Sequence, residues 1–283
     1  MKIKSISISS DSYPDRLRHI PKAPEKLYAL GSLKHTAPTV AIIGSRKPTS
    51  YGQAVTEQIA LGLSRRGVSI VSGLAYGIDV IAQRTAIKND AHVIAVLAGG
   101  LDSIYPRAHR DLAIQILEQG GSLVSEYPAG TPPMQYRFLQ RNRIVSGLSD
   151  AIVVTEASAK SGTMNTVMYA LEQGRDVYAV PGPITSAMSS GCNNLIAQGA
   201  KPITSVQSFI DEICGSAAGD MDMTPIGQSP EESVLLELIR GGVSDGDELV
   251  EQSKLDAQVV AQTLTMLEIQ GIVSPIGGNK WRL

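Results

Sequence analysis

Six short apolar runs, separated by stretches of helical periodicity, constrain this chain more than any other feature. They are residues 39–44 (TVAIIG), 68–73 (VSIVSG), 92–100 (HVIAVLAGG), 122–126 (SLVSE), 150–156 (DAIVVTE) and 176–182 (DVYAVPG). Continuous apolar runs of this length read as strands covered on both faces. The intervening stretches read as helices over 51–67, 78–87, 109–121, 138–149 and 163–174, with another at 192–200. The first shows the rule, with Val55, Ile59 and Leu63 on one face and Gly67 as its stop. This alternation predicts an α/β fold, a Rossmann-like, mostly parallel sheet with helices on both faces and right-handed crossovers.

The ends of the chain follow other patterns. Residues 1–38 contain SYPDRLRHIPKAPEKLYALG, whose proline spacing and few apolar residues suggest an extended lead-in packed on the sheet. The Rossmann-like domain is expected over 39–214 and a linker over 215–228, which is rich in Gly, Ser and Ala and has no apolar period. Beyond it, helices are expected over 229–242, 245–255 and 257–272. Two short strands then flank Gly277 and Gly278. Three helices and a hairpin make a small C-terminal winged-helix domain over 229–283.

Charge separates the two modules. Residues 231–283 hold nine acids and four bases, a balance of −5, which leaves 18 acids and 21 bases, or +3, for residues 1–230. A formal net charge of −2 excludes a broadly basic nucleic-acid coat but allows a local basic groove. The chain has 283 residues, 43% hydrophobic and 18% charged, which excludes global disorder and a rod. Cys192 and Cys214 match no metal-ligand or disulfide pattern. Without an apolar leader or a run of 18 apolar residues, the expectation is a reducing cytoplasm, no membrane and no bound cofactor.

In such a sheet, ligands bind beyond the carboxyl ends of the strands, where loops enter helix N-termini. The polar small residues of this chain gather there. The first run exits into Gly44, Ser45 and Arg46, the second ends in Ser72 and Gly73, and the fifth leads to Lys160, Ser161, Gly162 and Thr163. One such loop reads equally as a turn or cap. Three on one rim, with Arg46 and Lys160, read as a phosphate site. A second constellation, Arg137, Phe138, Arg141, Asn142 and Arg143, lies in a span with no acid from Thr131 to Leu148. Arginines beside an aromatic ring suit a single-strand groove, where cations follow phosphates and the ring stacks on a base. The same pattern fits a core phenylalanine with ion-paired arginines.

Catalytic machinery is not evident. His19, His35, His92 and His109 form no pattern with a nucleophile, and neither GxGxxG nor GxxxxGK[ST] occurs. Asp79 falls at a helix start, where a carboxylate favours the dipole. Glu126 and Glu156 end strands, and their expected role is hydrogen bonding to the rim loops.

The blocks VAIIGSRKPTSYG, IVSGLAYGID, AVLAGGLDSIYP, FLQRNRIVSGLSDAIVVTEASAKSGTM, ALEQGRDVYAVPG and GCNNLIAQGAKPITS, in this order, resemble the DNA-processing protein A (DprA, or Smf) family. The resemblance covers about residues 13–213, and the tail resembles the winged-helix domain of many members. It implies a protein that binds single-stranded DNA, forms a homodimer and loads the RecA recombinase during natural transformation, with no catalytic activity. Gly44, Ser45 and Arg46 match the family's GSR loop. Phe138, Arg141, Asn142 and Arg143 match its FxxRNR element, and Ser161 and Gly162 its SG turn. Two positions depart from it: Tyr76 replaces an arginine and Gln83 a histidine.

Two alternatives use the same rim. A nucleotide sensor would hold a monophosphate there. A phosphoribohydrolase would need the glutamate of a PGGxGTxxE pattern, where this chain has Thr166. A hydroxyl cannot supply the carboxylate that an oxocarbenium-like transition state requires. The winged helix has its own expectation. Its recognition-helix candidate, 257–270, has no Lys or Arg and carries Glu268, so it is expected to contact protein rather than duplex DNA. Residues 229–283 alone should show no tight duplex binding in a gel shift at about 150 mM salt; a tight complex would reverse that assignment.

Overall fold

The computed structural model describes residues 2–33, 38–215, 229–270 and 272–282. The chain divides into two units, Met1–Ala218 and Gly219–Leu283.

The first unit opens with β1 (Lys4–Ser7), the short helix α1 (Asp15–Arg18) and β2 (Lys26–Gly31). Strands and helices then alternate through β3 (Thr39–Ile43), α2 (Ser50–Arg65), β4 (Ser69–Ser72), α3 (Ile78–Lys88), β5 (Val93–Leu97), α4 (Arg110–Glu118) and β6 (Ser122–Ser125). The series continues with α5 (Gln135–Gly147), β7 (Ala151–Val154), α6 (Thr163–Glu172), β8 (Asp176–Ala179), α7 (Ser190–Ala197), β9 (Lys201–Pro202) and α8 (Val206–Cys214). These strands form one nine-stranded sheet in the order β1-β2-β6-β5-β4-β3-β7-β8-β9. Pairings from β6 to β9 are parallel, and β1 and β2 join as antiparallel strands. Every residue of β3, β4, β5, β6 and β7 is buried, as strands covered on both faces require.

Successive residues of β3 serve opposite faces. Ala41 and Ile43 join a core cluster that includes Val71 of β4, Val96 of β5, Ile144 of α5 and Val167 of α6. Val40 and Ile42 are equally buried. Helix α5 starts three residues before the expected Phe138, after the extended Met134. Its first turn, Gln135, Tyr136 and Arg137, carries no apolar period to announce it.

The described residues before β3 add two strands to the sheet. β2 pairs antiparallel with β6, and β1 pairs with β2, so this segment extends the sheet. β1 has no buried residue, and β2 alternates its two buried residues, Leu27 and Ala29, with less buried ones, so neither is covered on both faces as the central strands are. Leu17 and Leu27 are nevertheless fully buried in the core cluster with Ile144, Val145 and Leu148. The Tyr13 hydroxyl donates to the Pro24 carbonyl (2.7 Å). At the other edge, β9 and α8 lie outside the expected set. α8 buries Phe209 and Ile210, with Phe209 edge-on to Tyr178 at 4.9 Å.

The second unit has α9 (Pro230–Arg240), α10 (Gly246–Ser253), α11 (Ala257–Ile269) and the antiparallel pair β10 (Ser274–Gly277) and β11 (Lys280–Arg282). Ser229 caps α9 by accepting from the Glu232 N–H, and Asp245 caps α10 through Asp247 and Glu248. Leu235, Leu236, Ile239, Leu249, Val260, Leu264, Leu267 and Val273 form its core. The expected linker, apart from Gly215, lies outside the described residues. Among those residues no helix is long and apolar enough to cross a membrane.

If the N-terminal segment belongs to the main core, Leu17→Ala should destabilise the protein by about 2–5 kcal/mol in denaturant unfolding. A merely attached lead-in would leave the midpoint unchanged.

Candidate functional site

Strand order reverses beside β3: β4 lies on one side and β7 on the other. Loops leaving β3 and β7 diverge there and open a crevice at the carboxyl edge, the usual ligand position in this architecture. The crevice is a cleft of about 760 Å³. Gly44, Ser45 and Arg46 of the β3 loop, Gly73 and Ala75 after β4, Tyr105 after β5, and Ser161, Gly162 and Thr163 at the start of α6 all line it. Helix α5 adds Phe138, Leu139, Arg141, Asn142 and Val145. These residues fall at helical spacings of three and four, so the helix period delivers them to one face.

Polar contacts hold the β3 loop and the loop before α6 in place. The Ser45 N–H donates to the Glu156 carbonyl (2.7 Å), and the Ile78 N–H donates to the Ser45 carbonyl (3.0 Å). The Glu156 carboxylate, 3% exposed, accepts from the Thr49 N–H (2.8 Å) and the Thr49 hydroxyl (2.5 Å). Thr49 in turn caps α2. Glu156 therefore braces the loop, as expected of a strand-end carboxylate. The Ser161 hydroxyl donates to Thr163 Oγ1 (2.9 Å), which donates to the Gly44 carbonyl (3.0 Å), so the two loops are tied together. Gly77 is required here: its φ is +79°, and a Cβ would stand 2.2 Å from the Ser45 carbonyl oxygen.

The cleft also has an aromatic side. Arg46 is exposed and stands 5.9 Å from the Phe138 ring centroid. Tyr105 lies 5.7 Å from Phe138 and is half exposed.

Arg141 has a different part from the one its sequence suggests. It is 4% exposed, and its Nη1 donates to the Gly73 carbonyl (2.7 Å) and to the Val96 carbonyl. It thus joins the carboxyl ends of β4 and β5 under the cleft instead of extending an open cationic track. Asp79 accepts from the Gly73 N–H (3.0 Å) and the Ala75 N–H (3.4 Å). Burial lowers the Arg141 pKa to about 10, opposed by the Asp79 charge, while nearby Arg46 lowers it further. Burial also raises Asp79, opposed by Arg141 and the two N–H donors. Gly73 fits because a Cβ there would meet the guanidinium at 2.5 Å.

Arg137, Arg143, Ser72 and Lys160, all singled out from the sequence, do not line the cleft; Arg137 donates to the Pro132 carbonyl and stacks over Tyr127 at 4.9 Å. Arg143 is buried and donates to Glu126 (2.5 Å), the Lys22 carbonyl (2.9 Å) and the Gln140 carbonyl (2.9 Å), fastening α5 to the N-terminal segment. Ser72 is fully buried and donates to the Ile42 carbonyl (2.7 Å). Lys160 is exposed beside Ser161, outside the cleft wall. Asn142 lines the cleft and donates to Asn165 (3.3 Å), linking α5 to α6. Tyr105 was not among the residues singled out, although its place beyond the third parallel strand was a usable signal.

The histidines stay apart from this chemistry. His109 is buried, with Nδ1 2.8 Å from the Leu74 carbonyl oxygen, and His92 pairs with Ser69 (3.1 Å). His19 neighbours Asp15, and His35 lies outside the described residues. Among the described residues no three His, Cys, Asp or Glu side chains come together as metal ligands.

A doubly wound sheet with amide-rich loops, an exposed arginine and a flanking aromatic wall at its switch point defines a Rossmann-like α/β protein, here with a winged-helix module. The chain belongs to the DNA recombination-mediator protein A family, whose model matches residues 4–214, and the DprA winged-helix domain matches residues 220–279. Protein Smf of Escherichia coli strain K12 is 36% identical over 294 residues, spanning 98% of this chain and 77% of that protein. DNA processing protein DprA of Bacillus subtilis strain 168 is 41% identical over 213 residues, spanning 75% of this chain and 71% of its own length. The X-ray structure of DprA from Streptococcus pneumoniae superposes with a TM-score of 0.69 at 40% identity, covering 75% of each chain. DNA processing protein A from Helicobacter pylori, described with a single-stranded DNA binding mode, gives 0.68 at 33% identity over 75% of this chain and 95% of its own.

The different settings of two arginines predict different losses. Arg141→Ala leaves Asp79 buried without its cation and should cost about 3–5 kcal/mol of stability. Arg46→Ala, at the surface, should stay within about 0.5 kcal/mol of the parent. Equal unfolding midpoints for the two variants would contradict the bracing role of Arg141.

Proposed function

We propose that the cleft grips the backbone of single-stranded DNA and that the protein shields the strand and passes it to the RecA recombinase as a homodimer, without breaking a bond. The observation that carries this reading is Arg46 standing over Phe138 beside the amide- and hydroxyl-rich loops at the start of α6. A phosphate set against Ser45, Arg46, Ser161, Gly162 and Thr163 meets hydroxyls, N–H groups and a full positive charge. The attached base meets Phe138. In a duplex that base is stacked inside and cannot reach the ring. Recognition through phosphates and ring faces carries little base identity, so binding should be nearly independent of sequence. The single-strand binding described for the H. pylori relative supports this reading. The recombinase and the homodimer follow from family resemblance.

Hydrolase chemistry is less well served. Thr166 lines the cleft where a catalytic carboxylate would be wanted, and Asp79 is engaged with Gly73, Ala75 and Arg141.

Fluorescence anisotropy with labelled single- and double-stranded oligonucleotides of increasing length tests the proposal. Single strands longer than about six nucleotides should bind far more tightly than duplex. With Arg46, Lys47 and Lys160 as exposed cations on these loops, the log–log salt slope should be about −2, and about 0.7 shallower in Arg46→Ala. Loss of that charge-assisted contact should cost about 1.5–3 kcal/mol of affinity. A flat salt dependence would overturn the proposal. A mononucleotide binding as tightly as a long strand would favour the sensor instead.

A further inference from the structure

The walls of the cleft differ chemically. On the β3 and β7 side stand Gly44, Ser45, Ser161, Gly162 and Thr163; on the β5 and α5 side stand Tyr105, Pro133, Phe138 and Leu139. Apolar side chains rarely gather at an exposed edge without a partner for them. Among the described residues of the first unit, four tyrosines are exposed: Tyr51, Tyr76, Tyr105 and Tyr136. Two have evident structural partners. The Tyr51 hydroxyl donates to the Pro181 carbonyl (2.8 Å), and Tyr136 has the Arg137 guanidinium 5.4 Å from its ring centroid.

Tyr105 and Tyr76 are different. Each is about half exposed, at 52% and 50%, and each leans on a second ring: Tyr105 on Phe138 and Tyr76 on His109 (4.7 Å, edge-on). His109 is itself buried and bonded to the Leu74 carbonyl, in the same loop as Tyr76. Tyr105 and His109 lie in the segment that follows β5, and Tyr76 lies in the loop that follows β4. Both tyrosines therefore sit beyond carboxyl ends of adjacent parallel strands, on the far side of β3 from β7. Half-exposed rings that each rest against a second ring suit a planar partner, because the ring is already ordered and little rotamer entropy is lost on stacking.

We infer that Tyr105 and Tyr76 continue the base-stacking surface past Phe138, so that a single strand crosses the sheet edge with its phosphates at the β3 and β7 loops and further bases on these two rings. The inference rests on the single-strand reading above and adds a direction and a length to the site. Where an arginine in this position would hold the strand by charge, Tyr76 holds it by stacking, which salt does not screen. Tyr105 extends the Phe138 contact by one base, and Tyr76 lies farther along.

The test uses the full-length chain with oligonucleotides carrying single 2-aminopurine substitutions, whose fluorescence falls on stacking. Tyr105→Ala and Tyr76→Ala should each weaken binding of long strands about fivefold or more and restore fluorescence at one position along the strand. The log–log salt slope should stay at the parent value, because no phosphate contact is lost. Tyr105→Phe and Tyr76→Phe should bind as the parent does, since the ring and not the hydroxyl makes the contact. Thermal unfolding midpoints separate these effects from misfolding. If the parent binds single strands and both alanine variants match it at every length and every labelled position, the inference is overturned. The same follows if the phenylalanine variants bind no better than alanine. If the parent itself binds no single strand, the underlying reading fails first, and the anisotropy series distinguishes that case.

Discussion

A guanidinium enclosed beneath the cleft holds the working edge of this protein together. Arg141 reaches from α5 to carbonyls at the ends of β4 and β5, and Asp79 holds the following loop through two backbone N–H groups. Both ionisable groups are desolvated, and each opposes the shift that burial imposes on the other. Such an arrangement tolerates the loss of neither partner, because a lone buried charge is costly. It also leaves little freedom to the residues above it. Gly73 must lack a side chain beside the guanidinium, and Gly77 must take a left-handed conformation under the Ser45 carbonyl. The position of Arg46 over Phe138 depends on this floor.

A second bracing system lies across the switch point. Glu156 ends the β7 side of the crevice and holds the β3 loop through Thr49, while Thr163 ties the start of α6 to Gly44. Preformed loops of this kind need little reorganisation when an anion arrives, which favours binding by lowering the ordering cost. The division of labour is physical: enclosed charges position the loops, while Arg46 stays exposed above them.

Much of the architecture was legible in the chain. Buried parallel strands carry unbroken apolar runs, and amphipathic helices carry a 3.6-residue period, so β3 to β8 and their helices stand out. The edge elements did not: β1 has no buried residue, the apolar run Leu27 to Leu30 of β2 sits among prolines and charged residues, and the pairing of β2 with β6 is long-range. Glycine and serine at strand ends pointed to the rim, since few other residues allow close backbone approach to an anion. The weaker signal was charge. Arg141, Arg143 and Lys160 look alike in sequence as cations near a candidate groove. One became the floor of the cleft, one an ion pair with Glu126 on the N-terminal side, and one stayed exposed outside the wall.

The chain by itself determined the alternating α/β layers, the small winged-helix module with its acidic surplus, and the rim at which loops and helix starts converge. These rest on local periodicity and on the steric demands of single residues, both of which are written in short windows. Only the tertiary structure decided which arginines face solvent, which carboxylates brace loops, and that Tyr105 and Tyr76 stand at the same edge as Phe138. Those outcomes depend on which distant groups come within a few ångströms after the sheet has formed. Burial then sets whether a charge is a support or a contact, and no window of sequence contains that distance.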